Sequence, residues 1–216
     1  MKKSNILSAL LLGSIIGLSG CGGDMAASSS QGYAYEVQVT NVTAGQPMSP
    51  LLVSSTSFFS VGESASAALE KLAEGGDNSE LLNADSVSGS KLITPSQSDA
   101  VSVNTLTQTL SIATMLVKTN DAFAGLDNQD LSSLALNASA TFYLNAYDAG
   151  TEENSETNAT VPGLGEEGYN SARESSDIVT LHAGIITKDD GLATSNLSSM
   201  EKFNNPVARV VITRTK

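Results

Sequence analysis

Two short stretches of the chain gather oxygen ligands in a pattern that suits a hard cation. One is Lys118-Thr-Asn-Asp-Ala-Phe-Ala-Gly-Leu-Asp127, which directly follows the apolar run Met115-Leu-Val117. The other is Tyr147-Asp-Ala-Gly-Thr-Glu152, also at the end of a strand-like run. A calcium ion takes six to eight oxygens from carboxylates, carbonyls and water. Asp148 and Glu152 stand four apart around Gly150, and a glycine there lets the backbone turn so that both acids face one point. Asp121 adds a third carboxylate if the two loops meet at one end of the fold. The same residues have a plainer use, since Asp at a strand end commonly caps a turn by accepting a backbone N–H. Spacing alone leaves both readings open.

Other chemistry is thinly supplied. His182 is the only histidine, so a catalytic triad could be built only around it, and no Gly-x-Ser-x-Gly elbow occurs. Within Leu181-His-Ala-Gly184 it reads as a hydrogen-bonded imidazole near a strand end. One Cys and one His exclude a Cys/His zinc cage. Acids are plentiful enough for glycoside hydrolysis, but nothing selects a pair as acid and base. The chain therefore reads as a non-enzyme, with a hydrolase as the remote alternative. Five Tyr, five Phe and no Trp advertise no strong aromatic sugar platform, and Phe58 and Phe59 read as core.

The one cysteine has a different role. Lys2 and Lys3 precede the apolar stretch Ile6 to Leu18, and Leu18-Ser-Gly-Cys21 follows, the layout of a secretory signal ending in a lipobox. A membrane span needs about 20 apolar residues, more than this stretch offers. Residues 1–20 are thus expected to be cleaved, with Cys21 acylated as the first mature residue. Two or three acyl chains, each buried methylene worth about 0.8 kcal/mol, would hold the protein in a lipid membrane. Gly22 rather than Asp follows Cys21. That favours the outer membrane of a two-membrane cell by resemblance to other bacterial lipoproteins, facing either periplasm or medium.

Beyond the signal, nine bases stand against 23 acids, a net charge of −14. Such a surface excludes nucleic-acid binding, which needs a basic footprint, and suits cations or a solvated extracytoplasmic face. No disulfide can form within the mature chain once Cys21 carries lipid, so stability must come from a core. Residues 21–32 are a Gly/Ser-rich tether with a root-mean-square span of about 18 Å.

The folded domain, residues 33–216, reads as several short strands separated by turn signals, the pattern of an antiparallel β-sandwich. Tyr35, Val37 and Val39 alternate with polar residues, as do Val207 to Thr215. Strands are also expected over Leu51–Phe59, Ala100–Gln108, Leu110–Lys118, Ala138–Tyr147 and Ile178–Ile186. Glu63 to Ala73 is the one firm helix, stopped by Gly75-Gly76, and a short turn is expected over Asn78–Asn83. Between Asp148 and Asp177 lie eight acids and one base, Arg173, in a loop long enough to be functional or disordered.

Four blocks resemble the spondin domain, named for the N-terminal part of F-spondin and mindin and found also in bacterial proteins. They are Tyr35-Glu-Val-Gln-Val-Thr-Asn41 with Gly45-Gln-Pro-Met-Ser-Pro50, Met115-Leu-Val-Lys-Thr-Asn-Asp-Ala-Phe-Ala-Gly125, Tyr147-Asp-Ala-Gly-Thr-Glu152, and Asn205-Pro-Val-Ala-Arg-Val-Val-Ile212. The resemblance implies an all-β, C2-like antiparallel sandwich with Ca²⁺ in the loops at one end. The family's ligand motif falls on Asp121, Asp148 and Glu152, although the family often has Asp at that third position. Ala122 stands where the animal domains carry Trp, and their disulfides are absent. The chain is thus expected to be a lipid-anchored binding or adhesion module for an unknown extracytoplasmic protein or glycan. The alternative is a structural envelope lipoprotein with no discrete ligand.

Overall fold

The computed structural model describes residues 32–165, 168–173 and 176–216. The expected signal peptide, Cys21 and the expected tether up to residue 31 lie outside the described residues.

Nine strands carry the fold: β1 (Tyr33–Asn41), β2 (Leu52–Ser54), β3 (Ser86–Ser88), β4 (Ser98–Thr105), β5 (Thr109–Met115), β6 (Ala122–Asp130), β7 (Ser139–Asp148), β8 (Thr180–Leu181) and β9 (Ala208–Arg214). All pair antiparallel, in the order β3-β2-β5-β6-β7-β9-β1-β4, with β8 added to β7. The expected all-β class and sandwich architecture are what the chain adopts. The two layers are joined through β7. Its first half, Ser139 to Leu144, pairs with β9, and its second half, Asn145 to Asp148, pairs with β6. The edge strands β3 and β4 lie near one another, so the sandwich is nearly closed.

Alternation builds the main core. Tyr35, Val37 and Val39 of β1 meet Leu110 and Ile112 of β5, Leu144 and Ala146 of β7, and Val210 and Ile212 of β9 in one buried cluster. A second cluster lies on the other face of the β5–β6–β7 layer. There Leu69, Leu72 and Ala73 of a helix, α1 (Ala67–Gly75), cover Ala113, Phe123 and Leu52, with Phe58 and Phe59 beside them. The Ser66 side chain caps α1 by accepting from Leu69 N at 3.1 Å. Gly76 ends it in the left-handed region at φ 70°, its N–H donating to Leu72 O as in an αL stop, and Asp77 N donates to Lys71 O. The C-terminal stop at Gly75-Gly76 is where the sequence put it, but the helix begins at Ala67, four residues after the expected Glu63, because Ser66 caps it.

Four sequence expectations on the strands change. The strand expected over Leu51–Phe59 shrinks to Leu52–Ser54. The stretch Ala122–Asp130 is a nine-residue strand, so Asp127 lies in β6 and not in the loop after Lys118. Strand structure between Ile178 and Ile186 shrinks to Thr180–Leu181. Ser86–Ser88, where no strand is expected, pairs with β2. In each case the presence or absence of a neighbouring strand overrides what the local pattern suggests.

The acidic segment after β7 is tied to α1. Glu70 is buried, and its Oε2 accepts from Arg173 Nε at 2.9 Å and Nη2 at 2.7 Å, while Nη2 also donates to Ala65 O. Asn170 N donates to Glu74 Oε2 at 2.8 Å. Arg173→Ala would leave the Glu70 carboxylate buried without its cation, at a cost of about 2–3 kcal/mol. Urea denaturation should show that loss, whereas a wild-type midpoint would mean that the segment contributes nothing to the fold.

Candidate cation-binding loops

Thr119 shapes the first acidic loop. Its Oγ1 donates to Leu116 O at 2.6 Å and accepts from Ala122 N at 3.1 Å, closing the turn between β5 and β6. Asp121 is thereby delivered at the start of β6, fully buried. Ala122 pairs with Asp148 at the end of β7, so the two acidic loops do meet at one end of the sandwich.

The second loop wraps the Asp121 carboxylate. Its Oδ2 accepts from Thr151 N at 2.7 Å, from Glu152 N at 3.0 Å and from Thr151 Oγ1 at 3.3 Å. Its Oδ1 is buried and has no partner among the described residues. Asp148 Oδ1 accepts from Gly150 N at 2.8 Å, and Oδ2 accepts from Asn154 Nδ2 at 2.8 Å. Gly150 itself is left-handed at φ 72°. The sequence reading of this glycine as the residue that turns the loop matches the geometry.

Glu156 joins these acids, though nothing in its sequence neighbourhood marked it out among the eight acids of its segment. It is almost fully buried. Its Oε1 accepts from Ile186 N at 3.3 Å, and its Oε2 has no partner among the described residues. Glu152 is also buried, with its backbone N–H on Asp121.

Burial, reinforced by the neighbouring Asp148 charge, raises the Asp121 carboxyl to about 7 against the backbone N–H bonds that would lower it. Burial also raises Glu156 to about 7, opposed by the Ile186 N–H and aided by Asp121 and Asp148. A bound divalent cation reverses this balance, because its charge dominates the site.

His182 sits beside the acids but is turned to a different task. Its Nδ1 accepts from Gly184 N at 2.9 Å, which assigns the neutral-ring proton to Nε2. Nε2 is therefore a donor, not a free ligand lone pair, and it is buried without an acceptor among the described residues. Burial lowers its pKa, opposed by the charge of Asp148. The ring packs 5.3 Å from that of Phe203. This agrees with the plain sequence reading of a buried strand-end imidazole.

Among the described residues, no three His, Asp or Glu side chains stand in an arrangement that holds an ion as they are placed. The site offers two unpartnered buried carboxylate oxygens, on Asp121 and Glu156, next to Asp148. The chain matches no protein-family model. No curated protein matches it either.

Proposed function

We propose that this protein is a lipid-anchored extracytoplasmic binding module whose acidic loop end takes up calcium. The observation that carries the reading is the unpartnered, buried Oδ1 of Asp121, held between the Thr151–Glu152 backbone and Asp148. A buried anionic oxygen with no donor is costly, and a hard cation satisfies it. Asp121 and Asp148 would hold the ion, with Glu152 and Glu156 closing on it by rotation of their side chains. Calcium there neutralises the crowded acids and fixes the loops that face a partner. The anchor at Cys21 and the spondin resemblance support an adhesive or recognition role at the envelope over catalysis.

A second reading has its own observation. Asp121 Oδ2 and Asp148 Oδ1 both accept backbone N–H groups, as turn caps do, so a structural envelope protein without ligand would use the same residues. Calorimetric titration with calcium and melts with calcium or chelator separate the two. A ligand that binds only the folded state stabilises it by about 2.7 kcal/mol at a hundred times its Kd. Wild type should gain stability of this order, and Asp121→Asn and Asp148→Asn should lose the gain. Identical melting with calcium and chelator would sink the calcium reading and favour the structural one.

A further inference from the structure

A groove of about 410 Å³ opens on the outer face of β7, lined also by β6 and by the segment Phe59 to Val61. Tyr143, Asn145 and Tyr147 are alternate residues of that strand, so all three point to the same side. The groove lies where β7 leaves β9 and joins β6: Tyr143 is opposite Arg209, and Asn145 is opposite Gly125. Segment Phe59 to Val61 forms the facing wall. Phe59 is fixed there by ring contacts at 4.9 Å with Phe123 and 4.8 Å with Tyr147. It can lie so close to β6 only because residue 125 is glycine, since a Cβ there would come within 2.8 Å of the Phe59 ring.

We infer that this groove binds a neutral saccharide, one or two sugar rings of a glycan. The inference rests on the reading of the protein as a binding module and names the ligand class for it. Its size lies within the range of small-ligand sites. Tyr143 is 58% exposed and presents a large ring to solvent. The C–H face of a pyranose packs on such a ring while its hydroxyls seek polar partners. Those partners are present, because the Asn145 carboxamide and the hydroxyls of Tyr143, Tyr147 and Ser60 make no hydrogen bond to other described residues.

Other ligand classes fit less well. No Lys or Arg lines the groove and the chain is strongly acidic, so anions are repelled. A wholly apolar ligand would strand the carboxamide and hydroxyls without partners. A quaternary ammonium needs several aromatic faces around it, whereas here Phe59 and Tyr147 pack on each other and Phe59 is buried, which leaves Tyr143 as the broadly exposed ring. The one acid in the lining, Asp127, is already engaged: Oδ1 accepts from Phe58 N and Ser111 Oγ, and Oδ2 from Ser57 Oγ and Asn128 Nδ2.

The test uses the full lipoprotein in detergent on an array of neutral and sialylated glycans. Saturation-transfer NMR follows with cellobiose, maltose, lactose, diacetylchitobiose and phosphocholine. Retention of at least one neutral glycan is expected, weakened about tenfold or more by Tyr143→Ala and by Asn145→Ala with melting unchanged. Failure to retain any neutral glycan, binding that survives both substitutions, or binding of phosphocholine or sialylated glycans alone overturns the proposal. Calcium titration of the same sample keeps the two readings apart. Saccharide binding without calcium binding overturns only the calcium site, and calcium binding without saccharide binding overturns only the groove.

Discussion

Gly150→Ala should lower the unfolding free energy by about 4 kcal/mol, the sum of backbone strain and overpacking. Gly150 is left-handed at φ 72°, a conformation that costs a side-chain-bearing residue energy. An added Cβ would also stand 2.5 Å from Ile178 O and 2.7 Å from Ile178 N. Both are backbone atoms, so no side-chain rotation relieves the clash. Gly150 O also accepts from Asp177 N at 2.7 Å, which pins the far end of the acidic segment. Displacing the turn would therefore release Thr151 and Glu152 from Asp121 and loosen that segment together. Urea denaturation should show an early midpoint, and calcium uptake in the folded fraction should fall in parallel. A wild-type midpoint would mean that the loop accommodates the methyl by a path the fold does not display.

The second large effect is on pH dependence. In chelator, stability should fall as pH rises through neutrality. The Asp121 carboxyl titrates near 7 in the folded chain against 3.8 in the unfolded one, so the folded state keeps a proton the unfolded state has lost. The stabilisation is complete below about pH 4 and lost as pH passes 7, with an upper bound of about 4 kcal/mol. Glu156, also raised to about 7, acts in the same sense.

Two groups oppose this trend at lower pH. His182 is held neutral by burial and favours the fold above the ordinary imidazole range, losing that contribution as pH falls. Burial of Glu201 is outweighed by bonds from Lys118 and Ser198, which hold it at about 2. Its contribution disappears as pH drops below 4.5 towards that value. Melts across pH 3–9 in chelator should therefore peak on the acid side of neutrality. Asp121→Asn should flatten the neutral limb, and saturating calcium should lift it in wild type. A limb unchanged by Asp121→Asn would remove Asp121 as its source.

Much of the fold was legible in the residues themselves. The alternation in Tyr35 to Val39 and in Val207 to Thr215 predicts β1 and β9, because a half-buried strand admits few other patterns. Gly75-Gly76 predicts the end of α1, and Gly150 predicts the turn that brings the second loop to the first. Strand β6 was not legible. Its sequence, Ala-Phe-Ala-Gly-Leu-Asp-Asn-Gln-Asp, mixes small, polar and acidic residues without a clear period. It is a strand because β5 and β7 flank it and supply its hydrogen bonds.

The two acidic loops and their glycine were legible in the sequence, whereas the expectation that Asp121, Asp148 and Glu152 share one end of a sandwich came only from the spondin resemblance. Local spacing encodes turns, and turns place side chains near their neighbours along the chain. Which oxygens are left over was decided only by tertiary structure. Asp121 Oδ2 is held by residues 151 and 152, about 30 positions away, while Oδ1 has no partner among the described residues. Glu156 and His182 join the same neighbourhood through segments that fold back over β7. The groove beside Tyr143 likewise needs β7 to change partners in mid-strand, an outcome of packing two layers around one core that no local stretch of sequence contains.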